Sequence, residues 1–429
     1  MRRHPSRGPA AAVVPALVLV LAACGGAGGE ADDGPDPSTR SSSPEPTASD
    51  TPAGTSAAPE ATPDVSVENV VDGLDAPWGL APLPDGTVLI SLRDEARLVV
   101  VDPDAGTTTE VTGPGADALA AQTTPDGEGG LLGVARDPAS GDVLVYRTGA
   151  DDNAVLRGAL DGTVLGELTT VLDGIPRAGH HDGGGLAFGT DGFLYVGTGD
   201  AGDGEASQDR ASLAGKILRV TADGDPAPGN PDPSSPVWTF GHRNVQGFGW
   251  DASGRMFASE FGQSAWDELN EIAPGGDYGW PAVEGPGLEG QPRAGDGTVA
   301  PLHWWAPADA SPSGLAVTDD AVYLAGLRGE RLWRVPFGST ASGADETGDE
   351  AGDDGGPSPS KGAVDADGSV RALGEPQPLL VGELGRLRAV VPVVPGGGDA
   401  DGLWVLTNNT DGRGAPRDGD DRLVRVTLR

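Results

Sequence analysis

The chain has a single cysteine in 429 residues, so no disulfide can staple its core; a body of this length can be stable without one. One cysteine also excludes a C-x-x-C-H haem attachment, so any redox chemistry must hand its electrons to an outside partner. Basic residues are scarce: 28 Lys and Arg face 65 Asp and Glu, for a formal charge of −37. That balance argues against nucleic acid as a partner and against direct electrostatic attachment to anionic lipid. Helical periodicity is hard to find beyond residue 65, because 70 glycines and 38 prolines break nearly every window. No apolar run comfortably reaches the roughly 20 residues of a membrane-spanning helix. No G-x-S-x-G elbow occurs. There are only five histidines, and two of them, His180 and His181, stand side by side in "AGHHDGGGL".

The N-terminus reads as a targeting segment. Arg2, Arg3 and Arg7 precede an apolar run over 10–23, ending in "LAACG". This resembles a bacterial lipoprotein processing site, where cleavage leaves Cys24 first in the chain and open to lipidation. Residues 25–64 are Gly, Ala, Pro, Ser, Thr and acids, which bury too little apolar surface to offset their ordering entropy and so predict a disordered linker. A similar acidic stretch over about 339–367 reads as a surface insertion. The expected organisation is a signal peptide over 1–24, a linker over 25–64 and one domain over 65–429. The expected location is the outer face of the cytoplasmic membrane through a lipid anchor, or the periplasm or exterior without it.

From residue 65 onward, short apolar runs recur behind Asp/Gly turns: "PDGTVLISL", "SGDVLVYRT", "TDGFLYVGT", "ASGRMFASE", "TDDAVYLAG" and "DGLWVLTNN". Each precedes a second strand-like run, at 97–101, 155–159, 216–220, 268–272, 331–335 and 422–427. One blade cannot bury both of its faces, but six around an axis can. The pattern predicts an all-β fold, a six-bladed β-propeller of four-stranded antiparallel blades. "VSVENVV" at the start is expected to complete the last blade beside the terminal "DRLVRVTL".

Four stretches carry residues that a plain scaffold does not need: "HHDGGGLAFGTDGFLYVGTGD", "WTFGHRNVQGFGW", "SEFGQSAWDELNEIAPGGDYGWP" and "GLRGERLWRV" with the later "GRLRAV". Taken with "LDAPWGLAPLPDG", "GEGGLLGVARDP" and "SPSGLAV", they resemble the soluble PQQ-dependent aldose (glucose/sorbosone-type) dehydrogenases over almost the whole body. The resemblance implies a six-bladed propeller and oxidation of a sugar's anomeric hydroxyl to the lactone. It further implies pyrroloquinoline quinone (PQQ) as hydride acceptor, Ca²⁺ as Lewis acid and an external electron acceptor.

Residue by residue, the resemblance implies His181 as the base and Asp200 as the carboxylate that orients it. An imidazole poised near neutrality suits removal of a hydroxyl proton. Arg243 and Asn244 match the pair over the quinone, with Arg243 stabilising its oxygen. Arg328, Arg386 and Arg388 match positions around the three PQQ carboxylates. Gly262 and Gln263 match the backbone carbonyls that hold the catalytic Ca²⁺, Gln263 standing where relatives usually carry proline. Glu268 and Tyr278, with Asp267, match a second, structural calcium site. Glu128 stands where relatives often have glutamine near the cofactor, and Gly185 where many have arginine. His180 has no matching role, and His242 is expected to support its loop from below.

Other readings compete. "GTGDAG" fits G-x-G-x-x-G, but "DGEASQD" follows it instead of an apolar helix, which excludes a dinucleotide site. Adjacent loop histidines are not the i, i+4 pair of a zincin. A Ca²⁺-dependent lactonase-type propeller hydrolase, or a non-catalytic propeller binding carbohydrate or protein, remains the alternative. Neither needs three cations around a tricarboxylate.

Overall fold

The structure is a computed structural model that describes residues 62–287, 294–295, 297–338, 372–394 and 398–429. The targeting segment with Cys24, nearly all of the expected linker and the acidic insertion lie outside the described residues.

The described body is a six-bladed propeller. Each of its six large sheets has four strands in antiparallel order, and a two-stranded ribbon decorates the second blade. The six turn–strand–strand pairs in the sequence are the second and third strands of the blades, as in Val88–Leu92 with Arg97–Asp102 and Ala321–Gly326 with Arg331–Pro336. The circle closes through the first strand. Val65–Val71 pairs antiparallel with Leu423–Leu428, Val65 opposite Leu428, and so becomes the outer strand of the last blade.

The innermost strands are Pro77–Pro82, Leu131–Arg136, Leu186–Phe188, Val245–Trp250, Pro312–Val317 and Leu387–Pro392. Each touches the next, and the first touches the last. They share a pattern that the turn-based reading passed over: Trp78-Gly79-Leu80, Leu132-Gly133-Val134, Gly184-Gly185-Leu186, Gln246-Gly247-Phe248, Ser313-Gly314-Leu315 and Arg388-Ala389-Val390. A glycine, or in one blade an alanine, sits where neighbouring backbones crowd the axis. A Cβ at Gly79 would lie 2.7 Å from the Leu132 carbonyl, and one at Gly314 2.7 Å from the Ala389 Cα. Gly185 belongs to this ring, where a Cβ would press on Phe248 at 2.9 Å.

Burial divides by blade interface. Six apolar clusters fill the six clefts between adjacent blades; one joins Leu80, Val88 and Val101 to Trp404 and Leu406 across the closing seam. The one α-helix among the described residues, Pro114–Gln122, lies on a connection and buries Leu119. Its Pro at the first position and Gly113 before it suit a helix start.

Candidate active site

All six inner strands run the same way, so the residues just before them gather at one mouth of the propeller. Glu128, His181, Asn244, Ser311 and Arg386 each lie three to five positions upstream of the crowded glycine or alanine of their strand. They line a floor cavity of about 400 Å³, which joins a vestibule of about 750 Å³ through His181, Arg243 and Gln263.

His181 sits on a loop that glycine makes possible. Its own φ is +58°, Gly183 and Gly184 follow at positive φ, and a Cβ at Gly183 would strike the Gly197–Gly199 backbone. Asp182, buried, ties the loop down: its Oδ1 accepts the Ala178 N–H and the Asn153 amide, each at 3.1 Å, and its carbonyl accepts the Tyr146 hydroxyl at 2.7 Å. Glu128 Oε2 accepts the His181 N–H at 2.9 Å, while Glu128 Oε1 pairs with Arg413 at 2.8 Å. Burial works against ionised Glu128, yet these contacts hold it below the usual carboxylate range.

The imidazole meets Asp200, Nδ1 to Oδ1 at 2.7 Å, and the other Asp200 oxygen accepts the Trp280 indole N–H at 2.8 Å. Burial opposes the Asp200 charge, but the bonds from His181 and the Gly202 amide keep its carboxyl below the ordinary range. An ionised carboxylate only accepts, so Nδ1 carries a proton, and in the neutral ring the basic nitrogen is Nε2. The loop beyond Asp200 is anchored by the fully buried Lys216, whose ammonium donates to the carbonyls of Ala206, Ser207 and Ala214. His180 packs edge-on to His181 at 4.4 Å and lines the vestibule.

Arg243 and Asn244 face the same cavity. The Asn244 side-chain oxygen accepts the Gly183 N–H at 3.0 Å, tying this turn to the histidine loop. The Arg243 guanidinium donates to the Phe261 carbonyl at 3.2 Å and lies over the Trp280 ring, while its buried Nε has no partner. His242 lies beneath, fully buried between Glu260 and Thr239 and stacked on Tyr278.

The floor is basic in an acidic protein. Arg243, Arg328, Arg386, Arg388 and Arg413 line it against only Glu128 and Asp267. Arg388 is buried, donates to Gln246 Oε1 at 2.7 Å and Ser313 Oγ at 2.8 Å, and lies over the Trp78 ring. Burial, and then repulsion from Arg93, pushes its guanidinium down to about 9, still charged at neutral pH. Its Nε is buried without a partner. Arg386 pairs with Asp411 at 3.0 Å, and Arg328 is exposed on the turn after Leu327. Crowded guanidiniums with unsatisfied donors fit a polyanionic ligand.

Gly262 and Gln263 also line the floor, and carbonyl oxygens suit a hard cation. The residues expected at a second calcium site have partners within the protein. Glu268 is buried, accepts from the Gly285 amide and Asn270, and is pushed up to about 8 by burial and by Glu260. The Tyr278 hydroxyl donates to the Glu271 carbonyl at 2.7 Å and accepts the Ala273 N–H at 2.9 Å. Asp267, raised to about 6 by burial, accepts from Gly262 and Ser311. No group of three or more acidic, His or Cys side chains among the described residues forms a metal cluster.

Asp182, Trp280, Glu284 and Arg413 were not singled out from sequence. The inner-strand glycine repeat was the pattern that could have brought some of them forward, since it fixes which loops share a mouth.

Fold and site together define a β-propeller enzyme with an anion-binding floor and a carboxylate-oriented histidine beside it. Residues 74–352 match the family model described as Glucose / Sorbosone dehydrogenase, and the chain belongs to that family. It is similar to the PQQ-bound form of aldose sugar dehydrogenase from Streptomyces coelicolor, at 47% identity and a TM-score of 0.72, over 87% of this chain and 100% of that one. The aldose sugar dehydrogenase YliI of Escherichia coli is 31% identical over 59% of this chain and 73% of its own length. Quinoprotein glucose dehydrogenase B of Acinetobacter calcoaceticus is 27% identical over 50% of this chain and 52% of its own.

Proposed function

We propose that this protein is a PQQ- and calcium-dependent aldose dehydrogenase that oxidises the anomeric hydroxyl of a sugar to the lactone. The observation that carries the proposal is the basic floor, five arginines converging beside a carboxylate-oriented histidine in a chain of charge −37. Arg328, Arg386, Arg388 and Asn244 would hold PQQ, and the carbonyls of Gly262 and Gln263 would hold Ca²⁺. When bound, the pair supplies an electrophilic quinone carbon that accepts the sugar's hydride. His181 Nε2 takes the hydroxyl proton as the C–H bond breaks, and Asp200 stabilises the imidazolium that forms. Arg243 offers a fixed positive charge where negative charge gathers. Trp280, Pro281 and Ala282 form part of the vestibule wall through which the sugar would enter. Two electrons leave the sugar and pass to an external acceptor.

The similarity to relatives named as quinoprotein and PQQ-bound sugar dehydrogenases supports the same reading. So does the poor match of five floor arginines to a lactonase or a binding propeller. We further propose that the protein is exported and held by lipid on Cys24.

Titrating the purified protein with PQQ and CaCl₂, together and singly, while following dye reduction with a panel of aldoses tests the function. Sugar-dependent reduction that needs both additions is expected. Absence of both turnover and PQQ binding would leave a lipid-anchored binding propeller instead.

A further inference from the structure

Glu284 lies three residues beyond Pro281, and its carboxylate reaches back to the turn at residues 263–266. One oxygen, Oε1, accepts the N–H groups of Gln263 at 2.8 Å, Ser264 at 2.9 Å, Ala265 at 2.8 Å and Trp266 at 3.1 Å. Four successive amides converging on one point form an anion-binding nest, filled here by the protein's own side chain.

The nest has a consequence on its far side. In a trans peptide the carbonyl of one residue points opposite to the N–H of the next, and the cis peptides among the described residues lie elsewhere. The Gln263 N–H aimed at Glu284 therefore turns the Gly262 carbonyl away from it. The Ser264 N–H does the same to the Gln263 carbonyl. Gly262 lines the floor cavity and Gln263 its junction with the vestibule, which Glu284 lines. Flanking contacts keep the turn from rotating. Asp267 Oδ1 accepts the Gly262 N–H at 2.9 Å, and Glu268 Oε1 accepts the N–H of Gly285, next to Glu284, at 2.6 Å. Only glycine fits at 262, where a Cβ would collide with the Trp266 carbonyl and lie 2.7 Å from Glu284 Oε1.

We propose that Glu284 is the positioning residue of the floor's cation site: it gathers four amides on one side of the turn and thereby aims the Gly262 and Gln263 carbonyls at Ca²⁺ without touching the metal. The proposal rests on the calcium part of the proposed function. It differs from simple charge attraction, because what matters is an acceptor oxygen at the centre of the nest.

Three variants of the full chain separate these roles, with E284A as the truncation that removes the acceptor altogether. E284Q keeps an acceptor oxygen at the same reach but loses the charge; E284D keeps the charge but withdraws it by one methylene. CaCl₂ is titrated calorimetrically into each PQQ-saturated protein, with melting in EDTA as the measure of fold. Aiming predicts that E284D and E284A bind Ca²⁺ about 10- to 100-fold more weakly than wild type, the range found when a ligand's outer support is removed. E284Q regains most of that loss, and all variants melt like wild type in EDTA. E284D binding as well as wild type, with E284Q as weak as E284A, overturns the proposal in favour of charge. E284A binding as tightly as wild type overturns it outright while leaving the function standing. A wild type that takes up no Ca²⁺ removes both.

Discussion

The two ends of the six inner strands make opposite cavities from one repeated element. Upstream of the crowded glycines the strands open on the floor cavity, with its five arginines and His181, whose partner Asp200 lines the adjoining vestibule. Downstream they enclose a space of about 450 Å³ walled by Leu80, Pro82, Phe188, Phe248, Trp250, Leu315, Val391 and Pro392. Arg388 touches both: its guanidinium serves the floor while its ring contact is Trp78 of the apolar side. A repeat supplies the frame equally to both ends, and the loops gathered at the upstream mouth distinguish a chemical site from an apolar channel.

Substitutions at the two ends should therefore fail differently. The largest effect is expected at His181. His181→Ala should lower turnover by about 10²- to 10⁴-fold, the usual share of a general base, with PQQ affinity unchanged when followed by fluorescence titration. Little loss of turnover with PQQ bound would move the proton to another group.

Arg388→Leu should weaken PQQ binding by about 30-fold or more, because a buried charge facing an anion is lost. Its downstream counterpart, Leu315→Ala, should cost about 2–5 kcal/mol of stability by leaving a cavity, with PQQ affinity intact. If Leu315→Ala altered PQQ affinity as strongly, the two ends would not be separable.

At the waist between them, Gly247→Ala should destabilise by about 1–3 kcal/mol, seen as a lower denaturation midpoint, since the added methyl meets the Ser313 carbonyl 2.5 Å away.

A last effect is a matter of pH. Glu268 is raised from 4.5 to about 8 by burial and Glu260, so the folded protein keeps a proton that the unfolded chain releases. Its contribution to stability is whole below about pH 4.5 and is lost as the pH rises through about 8. Glu268→Gln should flatten the melting temperature over that window in EDTA. An unchanged slope would place the pH dependence elsewhere.

Much of this was legible in the sequence, for identifiable reasons. Asp/Gly turns and β-rich runs are local, so the middle strands of each blade emerged directly, and "VSVENVV" could be assigned to the last blade because a ring leaves one strand unmatched. The innermost strands were harder. "WGL", "LGV" and "QGF" carry little alternation, since both faces and the edge of such a strand are crowded. His181 and Asp200 stood out because imidazole is scarce and the surrounding motif resembles a family. Glu284 did not, because its role depends on the direction of four amides in another loop, which no spacing encodes. Tyr278 is legible in the motif, while the partners of its hydroxyl, the Glu271 carbonyl and the Ala273 N–H, come only from the folded turn.

The seam between Val65–Val71 and Leu423–Leu428 also sets an order of events during synthesis. The first strand of the propeller receives its partner last, after more than three hundred intervening residues have emerged. Until then the earliest blade edge stands unpaired, a ready template for wrong associations. The circle therefore acts as a check on completeness: a chain stopped before its final strand has every blade but the last and no clasp to hold them in a ring.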